Sequence, residues 1–198
     1  MSNTHASRDP RRFIGTASAV AFVCLVLLAA WPRSAETQAA AWDATLATTL
    51  TGTWTLAVSP GAAQTVIDAG IATAVAGLPP LIDSVAAGQL RDRTPISPRI
   101  VLSVTEARIE ARFVHATFTS IPGMPARVPV PGSSDETMEM VQLLRDGGLE
   151  QIFTSDGGRR WSTLTPTADG TRLSLNAVIH SDRLSADVRF RLPYRRAD

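Results

Sequence analysis

The chain has 198 residues, 44% hydrophobic and 6% aromatic, which is room for one domain with a real core but not for two. Lys+Arg 19 against Asp+Glu 18 leaves a net charge of +1, too little to hold nucleic acid over a broad surface. The only cysteine, Cys24, lies in an apolar N-terminal run, so the body of the chain carries neither a disulfide nor a thiolate metal site.

Arg8, Arg11 and Arg12 precede an uncharged stretch over residues 13–31 that contains Phe22, Val23, Leu25, Val26, Leu27 and Leu28. A basic region followed by an apolar one predicts an export signal, and Pro32 ends its helix. Small residues follow at signal-peptidase spacing, Thr37 with Ala39 or Ala39 with Ala41, so cleavage after either alanine is expected. Retention is the alternative, because about nineteen uncharged residues can span a bilayer with the arginines inside. The bulky Val23 ahead of Cys24 argues against a lipoprotein box. Residues 1–41 are therefore a signal peptide or membrane anchor, and residues 42–198 form a single domain in the periplasm or outside the cell.

In residues 50–58, Trp54, Leu56 and Val58 alternate with Thr53, Thr55 and Ala57, the pattern of a half-buried strand. Residues 62–90 predict two short helices broken at Leu78, Pro79 and Pro80, since proline removes a donor and disfavours helix in the residue before it. Val66, Ile67, Ile71, Val75 and Leu78 make the apolar stripe of the first helix, and Leu81, Ile82, Val85 and Leu90 that of the second.

From Pro98 the period becomes two. Ile100, Leu102 and Val104 form one strand face, and Ala107, Ile109, Ala111 and Phe113 another. Residues 121–135 hold Pro122, Pro125, Pro129 and Pro131 and predict a long loop or ragged edge strand. Asp146–Gly147–Gly148, Asp156–Gly157–Gly158 and Asp169–Gly170 then mark hairpin turns about ten residues apart. In the last strand Leu184, Ala186, Val188, Phe190, Leu192 and Tyr194 oppose Ser185, Asp187, Arg189 and Arg191. The fold class is mainly β: an antiparallel meander of about eight to ten strands, which must fold into a sandwich or close into a barrel or strongly bent sheet to hide its apolar face.

Gly52-Thr53-Trp54 on the first strand, the helical hairpin, the meander and the terminal Tyr194-Arg195-Arg196 together resemble the calycins, the lipocalins and fatty-acid-binding proteins. The resemblance covers about two thirds of the mature chain and implies a barrel around an apolar ligand, with the helical hairpin as a lid. Trp54, Phe113, Phe190 and Tyr194 would meet that ligand. The match fails at the Arg-x-Tyr of the fatty-acid-binding proteins: Leu192 and Pro193 precede Tyr194, and Arg191 turns inward only if Pro193 makes a bulge. The lipocalin arginine stacked on the first-strand tryptophan is implied at Arg195 or Arg196, which with Gly52 and Trp54 would close the barrel.

Thr154, Asp156, Gly158 and Trp161 fit an Asp-box and support a hairpin, while Arg159 and Arg160 read as a solvated tip. The histidines are His5, His115 and His180; neither a zinc spacing nor a nucleophile elbow accompanies them, and Ser181 and Asp182 lie too near His180 in sequence to converge as a triad. Neither a phosphate-binding loop nor a dinucleotide fingerprint occurs, so cofactors, metals and catalysis are not expected. Two functions remain open: an exported binder of an apolar small molecule or lipid, in contact with the membrane if the N-terminal segment stays, and a structural or interaction protein of the cell envelope with a fully packed sheet.

Overall fold

A computed structural model describes residues 42–130 and 136–197; the predicted export segment and its cleavage sites lie outside the described residues. Ten strands form one antiparallel sheet in the order β4-β3-β2-β1-β10-β9-β8-β7-β6-β5. They are β1 (Gly52–Leu56), β2 (Arg99–Val104), β3 (Ile109–Arg112), β4 (Thr117–Ser120), β5 (Ala126–Pro129), β6 (Thr137–Arg145), β7 (Gly148–Ser155), β8 (Gly158–Pro166), β9 (Arg172–His180) and β10 (Val188–Arg196). The chain is a meander whose first and last strands pair, and the sheet curls into a nearly closed barrel that leaves only β4 and β5 unpaired with each other. The expected proline-rich edge is thus the short strand β5.

Parity survives along the strands. In β10 the burial alternates from Val188 to Tyr194, with Phe190 and Leu192 inside and Arg189, Arg191 and Pro193 outside. The Asp146–Gly147 turn explains one hairpin in physical terms: both residues have positive φ, 50° and 75°, which matches a two-residue turn to the twist of β6 and β7. Asp tolerates that region better than most side chains and Gly tolerates it freely.

Among the described residues three helices accompany the sheet: α1 (Ala44–Leu50), α2 (Pro60–Val75) and α3 (Pro80–Asp92). The predicted helical hairpin is α2 and α3, parted by the prolines at 79 and 80. The short helix α1 is an element that the sequence pattern does not predict, and it takes Leu50 from the expected first strand. The Asp43 carboxylate accepts from the Leu46 amide at 2.8 Å and starts it. Ala47 and Leu50 then bury against β2, β7 and β8, stoppering the end of the barrel where β1 begins.

At the opposite end α2 buries Ala63, Ile67, Ile71, Ala74 and Val75, although Val66 of the predicted stripe is exposed. Gly70 lets α2 approach β10: a Cβ there would stand 2.5 Å from the Arg189 carbonyl oxygen. Backbone cannot step aside as a flexible side-chain end can, so Gly70→Ala is expected to cost about 1–3 kcal/mol, measured by denaturant unfolding. The predicted stripe of α3 is overturned. Leu81, Ile82 and Val85 are 84%, 55% and 60% exposed, and of the four residues only Leu90 packs on the core. Periodicity identified an apolar face correctly, but that face overhangs an opening instead of a core.

Candidate functional site

Two contiguous regions divide the barrel interior. Around β1 and β10 it is filled by Leu50, Trp54, Ile100, Leu102, Leu149, Leu164, Leu173, Leu192 and Tyr194, all nearly inaccessible to water. Below α3 and against the inner faces of β6 to β8 it is hollow, with a cavity of about 1080 Å3. A fully packed interior is therefore not what this sequence makes. The walls carry Phe113, Phe118 and Phe153, whose rings meet edge to face at 5.7 and 5.0 Å, with Val130 and Met138. The mouth is rimmed by Leu81, Ile82 and Val85 of α3, by the β3–β4 turn at His115, and by the β7–β8 and β9–β10 turns.

The chemically distinctive group inside is Arg160. Gly158 opens β8, and from there Arg160, Ser162 and Leu164 share the inner face while Arg159 and Trp161 face out. The expectation of a solvated basic tip holds for Arg159, which is exposed at the cavity mouth and lies 5.0 Å from the Trp161 ring, and fails for the half-buried Arg160. The Arg160 Nε donates to Ser162 Oγ at 3.0 Å, and its guanidinium carbon lies 5.9 Å from the centre of the Phe153 ring. Among the described residues no carboxylate forms an ion pair with it. Desolvation, weakly opposed by Tyr194, pulls its pKa down to about 10, so it enters the cavity as a cation at neutral pH and an energetically costly one.

Behind Arg160 runs a polar ladder. Gln151 and Gln142 are 1% and 0% exposed. Gln151 Nε2 donates to Gln142 Oε1 at 2.8 Å, and Gln142 Nε2 in turn donates to Ser120 Oγ at 3.1 Å and to the Ile109 and Phe118 carbonyls at 3.4 and 3.5 Å. Gln142 thus ties β6 to β3 and β4 across the open seam, whose backbone is further tied where the Gly123 amide donates to the Gln142 carbonyl at 2.7 Å.

The residues expected at the ligand are dispersed. Phe113 lines the cavity. Phe190 and Tyr194 line, with Arg160, a side pocket of about 30 Å3, the size of one water molecule. The Tyr194 hydroxyl is taken by the Ser97 carbonyl at 3.0 Å, and burial raises its pKa. Trp54 is 0% exposed in the packed region and does not reach the cavity. Arg191 points outward and donates to Ser174 Oγ at 2.6 Å, because the pairing of β10 with β9 runs through Pro193↔Ser174 without a bulge.

For closure of the barrel, the structure chooses between the two candidate arginines. Arg195 is exposed, whereas the Arg196 guanidinium lies 4.5 Å over the Trp54 ring. It donates to the carbonyls of Gly170 at 2.8 Å and Thr51 at 3.0 Å, and to that of Thr49. Trp54 Nε1 meanwhile donates to the Leu50 carbonyl at 2.9 Å, so one cation–π pair joins α1, β1, β10 and the β8–β9 turn. Gly52 makes room for it, with φ of +140° and a would-be Cβ 2.6 Å from Arg196 Nη1.

His180 sits at the mouth on the outer face. Its Nδ1 lies 2.9 Å from Asp187, and its Nε2 lies 3.4 Å from Asp182. Hydrogen bonding to Asp187 raises the His180 pKa, and the same bond, helped by Arg189, lowers that of Asp187. The pair therefore contributes stability between the lowered Asp187 pKa and the raised His180 pKa, fully so between about pH 4 and 6.5. Asp187→Asn is expected to lower the His180 pKa toward that of an ordinary imidazole, with Asp182 still holding part of the rise, as read by its ring proton shifts in NMR. The Ser181 hydroxyl donates to the Gly157 carbonyl at 2.8 Å, and among the described residues no hydroxyl is hydrogen-bonded to His180. Nor do the described residues bring together a metal-binding set of three histidine, cysteine or acidic side chains.

No protein-family model and no curated protein matches the sequence. Solved structures do. The SAHS protein, an abundant heat soluble protein from Ramazzottius varieornatus, superposes with a TM-score of 0.51 at 10% identity over 75% of this chain and 96% of its own. Fatty-acid-binding protein 1 of Echinococcus granulosus gives 0.45 at 11% identity over 76% and 99%. The Schistosoma mansoni fatty acid binding protein, solved with arachidonic acid, gives 0.46 at 11% over 77% and 98%. The fold is that of the calycins: a ten-stranded, nearly closed antiparallel barrel with a helical hairpin after the first strand.

Proposed function

We propose that this protein binds a single anionic amphiphile, a fatty-acid-like lipid, inside the barrel, with its charged group at Arg160 and its tail running beneath α3, and does so without catalysis. One observation carries this reading: an inward arginine without a carboxylate partner stands in a largely apolar cavity of about 1080 Å3. Burying such a cation unpaired lowers stability, and an incoming carboxylate offsets that cost with charge-assisted hydrogen bonds. The aromatic wall and the exposed Leu81, Ile82 and Val85 offer apolar surface to the tail.

Export is part of the same proposal, supported by the arginines at 8, 11 and 12 and the apolar run that follows. A carrier outside the cytoplasm would hold an insoluble lipid in transit across an aqueous space. The test is to purify the protein from its own host and weigh it by native mass spectrometry. One lipid per chain, of one acidic class, is the expected result; chains recovered repeatedly without lipid and without a thermal shift on adding fatty acid would refute the reading.

A further inference from the structure

The polar ladder fixes more than the seam. The Ile109 and Phe118 carbonyls can only accept, so the Gln142 amide must present its NH2 to them and its Oε1 to the other side. That oxygen in turn requires the NH2 of Gln151, at 2.8 Å. The Gln151 amide has therefore no freedom to flip, and its Oε1 is the end left over. Among the described residues no donor meets that oxygen, and it is not sealed off in the packed region: Gln151 lines the cavity. Gln151 pairs across the strands with Ser162, the residue that takes the Arg160 Nε, so the free acceptor and the guanidinium are diagonal neighbours on one inner face.

A simple carboxylate can satisfy a guanidinium but has no proton for an amide oxygen. We propose that the amphiphile held at Arg160 carries a hydroxyl close to its carboxylate, so that the acid meets the Arg160 guanidinium and the hydroxyl donates to Gln151 Oε1. The ligand class is then a hydroxy fatty acid substituted near its polar end. This inference rests on the reading of Arg160 as the anion anchor. In the absence of such a hydroxyl, water can occupy the place, which limits the discrimination to about tenfold, well below that of a site water cannot reach.

The experiment titrates the full-length protein with hexadecanoate, with its 2-hydroxy and 3-hydroxy derivatives, and with the isomer hydroxylated at the far end of the chain. At least one of the near-hydroxylated acids is expected to bind about tenfold more tightly than hexadecanoate, with no gain for the far isomer. In Gln151→Met that preference should vanish while hexadecanoate itself still binds. Equal affinity for all four acids, or a preference that survives Gln151→Met, overturns the inference and leaves the anion anchor standing. Binding of none of the four sinks the anchor as well. Should Gln151→Met not fold, the comparison among the four acids on the unaltered protein still decides the matter.

Discussion

Arg160→Met is expected to weaken binding of a long-chain carboxylate by about 10- to 150-fold, the equivalent of about 1.5–3 kcal/mol for hydrogen bonds to a charged group. In the same protein without ligand, stability should rise by about 1–3 kcal/mol, because methionine fills similar volume without a desolvated charge. Opposite signs in the two measurements are the signature of a group held for binding and not for folding. The pH dependence follows from the depressed pKa of about 10. The burial cost is fully present below the folded pKa and lifts as pH rises from there toward the ordinary value for arginine. Affinity for a carboxylate should stay flat through neutral pH and fall above about pH 10, where the guanidinium begins to lose its proton. Loss of both binding and stability in Arg160→Met would assign the residue a structural role instead.

Arg196→Met is expected to destabilise the fold by about 3–4 kcal/mol, summing three carbonyls that lose a donor and one cation–π contact. For a domain of this size that lowers Tm by about 10 °C. Arg196→Lys should recover little, since a compact ammonium cannot span the Thr49, Thr51 and Gly170 carbonyls and lie over the Trp54 ring at once. Gly52→Ala should reproduce a large part of the loss, because the added methyl displaces the Arg196 Nη1 from a backbone already at positive φ. Calorimetry of the three variants checks the ranking. Cavity and closure lie in different parts of the interior, so Arg196→Lys should keep its affinity for lipid as long as it remains folded.

Much of this architecture was legible because strand period, turn chemistry and proline placement each report on local geometry. The alternation of Val188, Phe190, Leu192 and Tyr194, the Asp146–Gly147 turn and the break at Pro79 and Pro80 leave little freedom to the chain. The Trp54 and Arg196 pair was legible as one of two alternatives, because the pattern cannot say which of two adjacent arginines curls back over the ring. What was not legible is where an apolar or polar face ends up looking. Leu81, Ile82 and Val85 have a helical stripe, yet whether it meets a core or an opening depends on strands far away in sequence.

Arg160 was obscured by its neighbours: beside Arg159 and a turn it read as a tip, although the alternation Arg160, Ser162, Leu164 already assigned it to the face of a buried leucine. The same parity along Met138, Met140, Gln142 and Leu144 put Gln142 inside, where an amide demands a partner. Polar residues at inward positions were the available signal. The family resemblance is carried by aromatic and C-terminal residues and does not bear on them. Helix α1 had no such signal, being seven residues long and stabilised chiefly by the core it plugs.

The most direct test of an anion anchor in a lipid-sized cavity is calorimetric titration of the full-length protein with hexadecanoate and, separately, with its methyl ester. The two share a tail and differ in the charge that Arg160 would meet. One carboxylate per chain, bound at least about tenfold more tightly than the ester, is the result this account predicts. Equal affinity for acid and ester, or no binding of either, would contradict it.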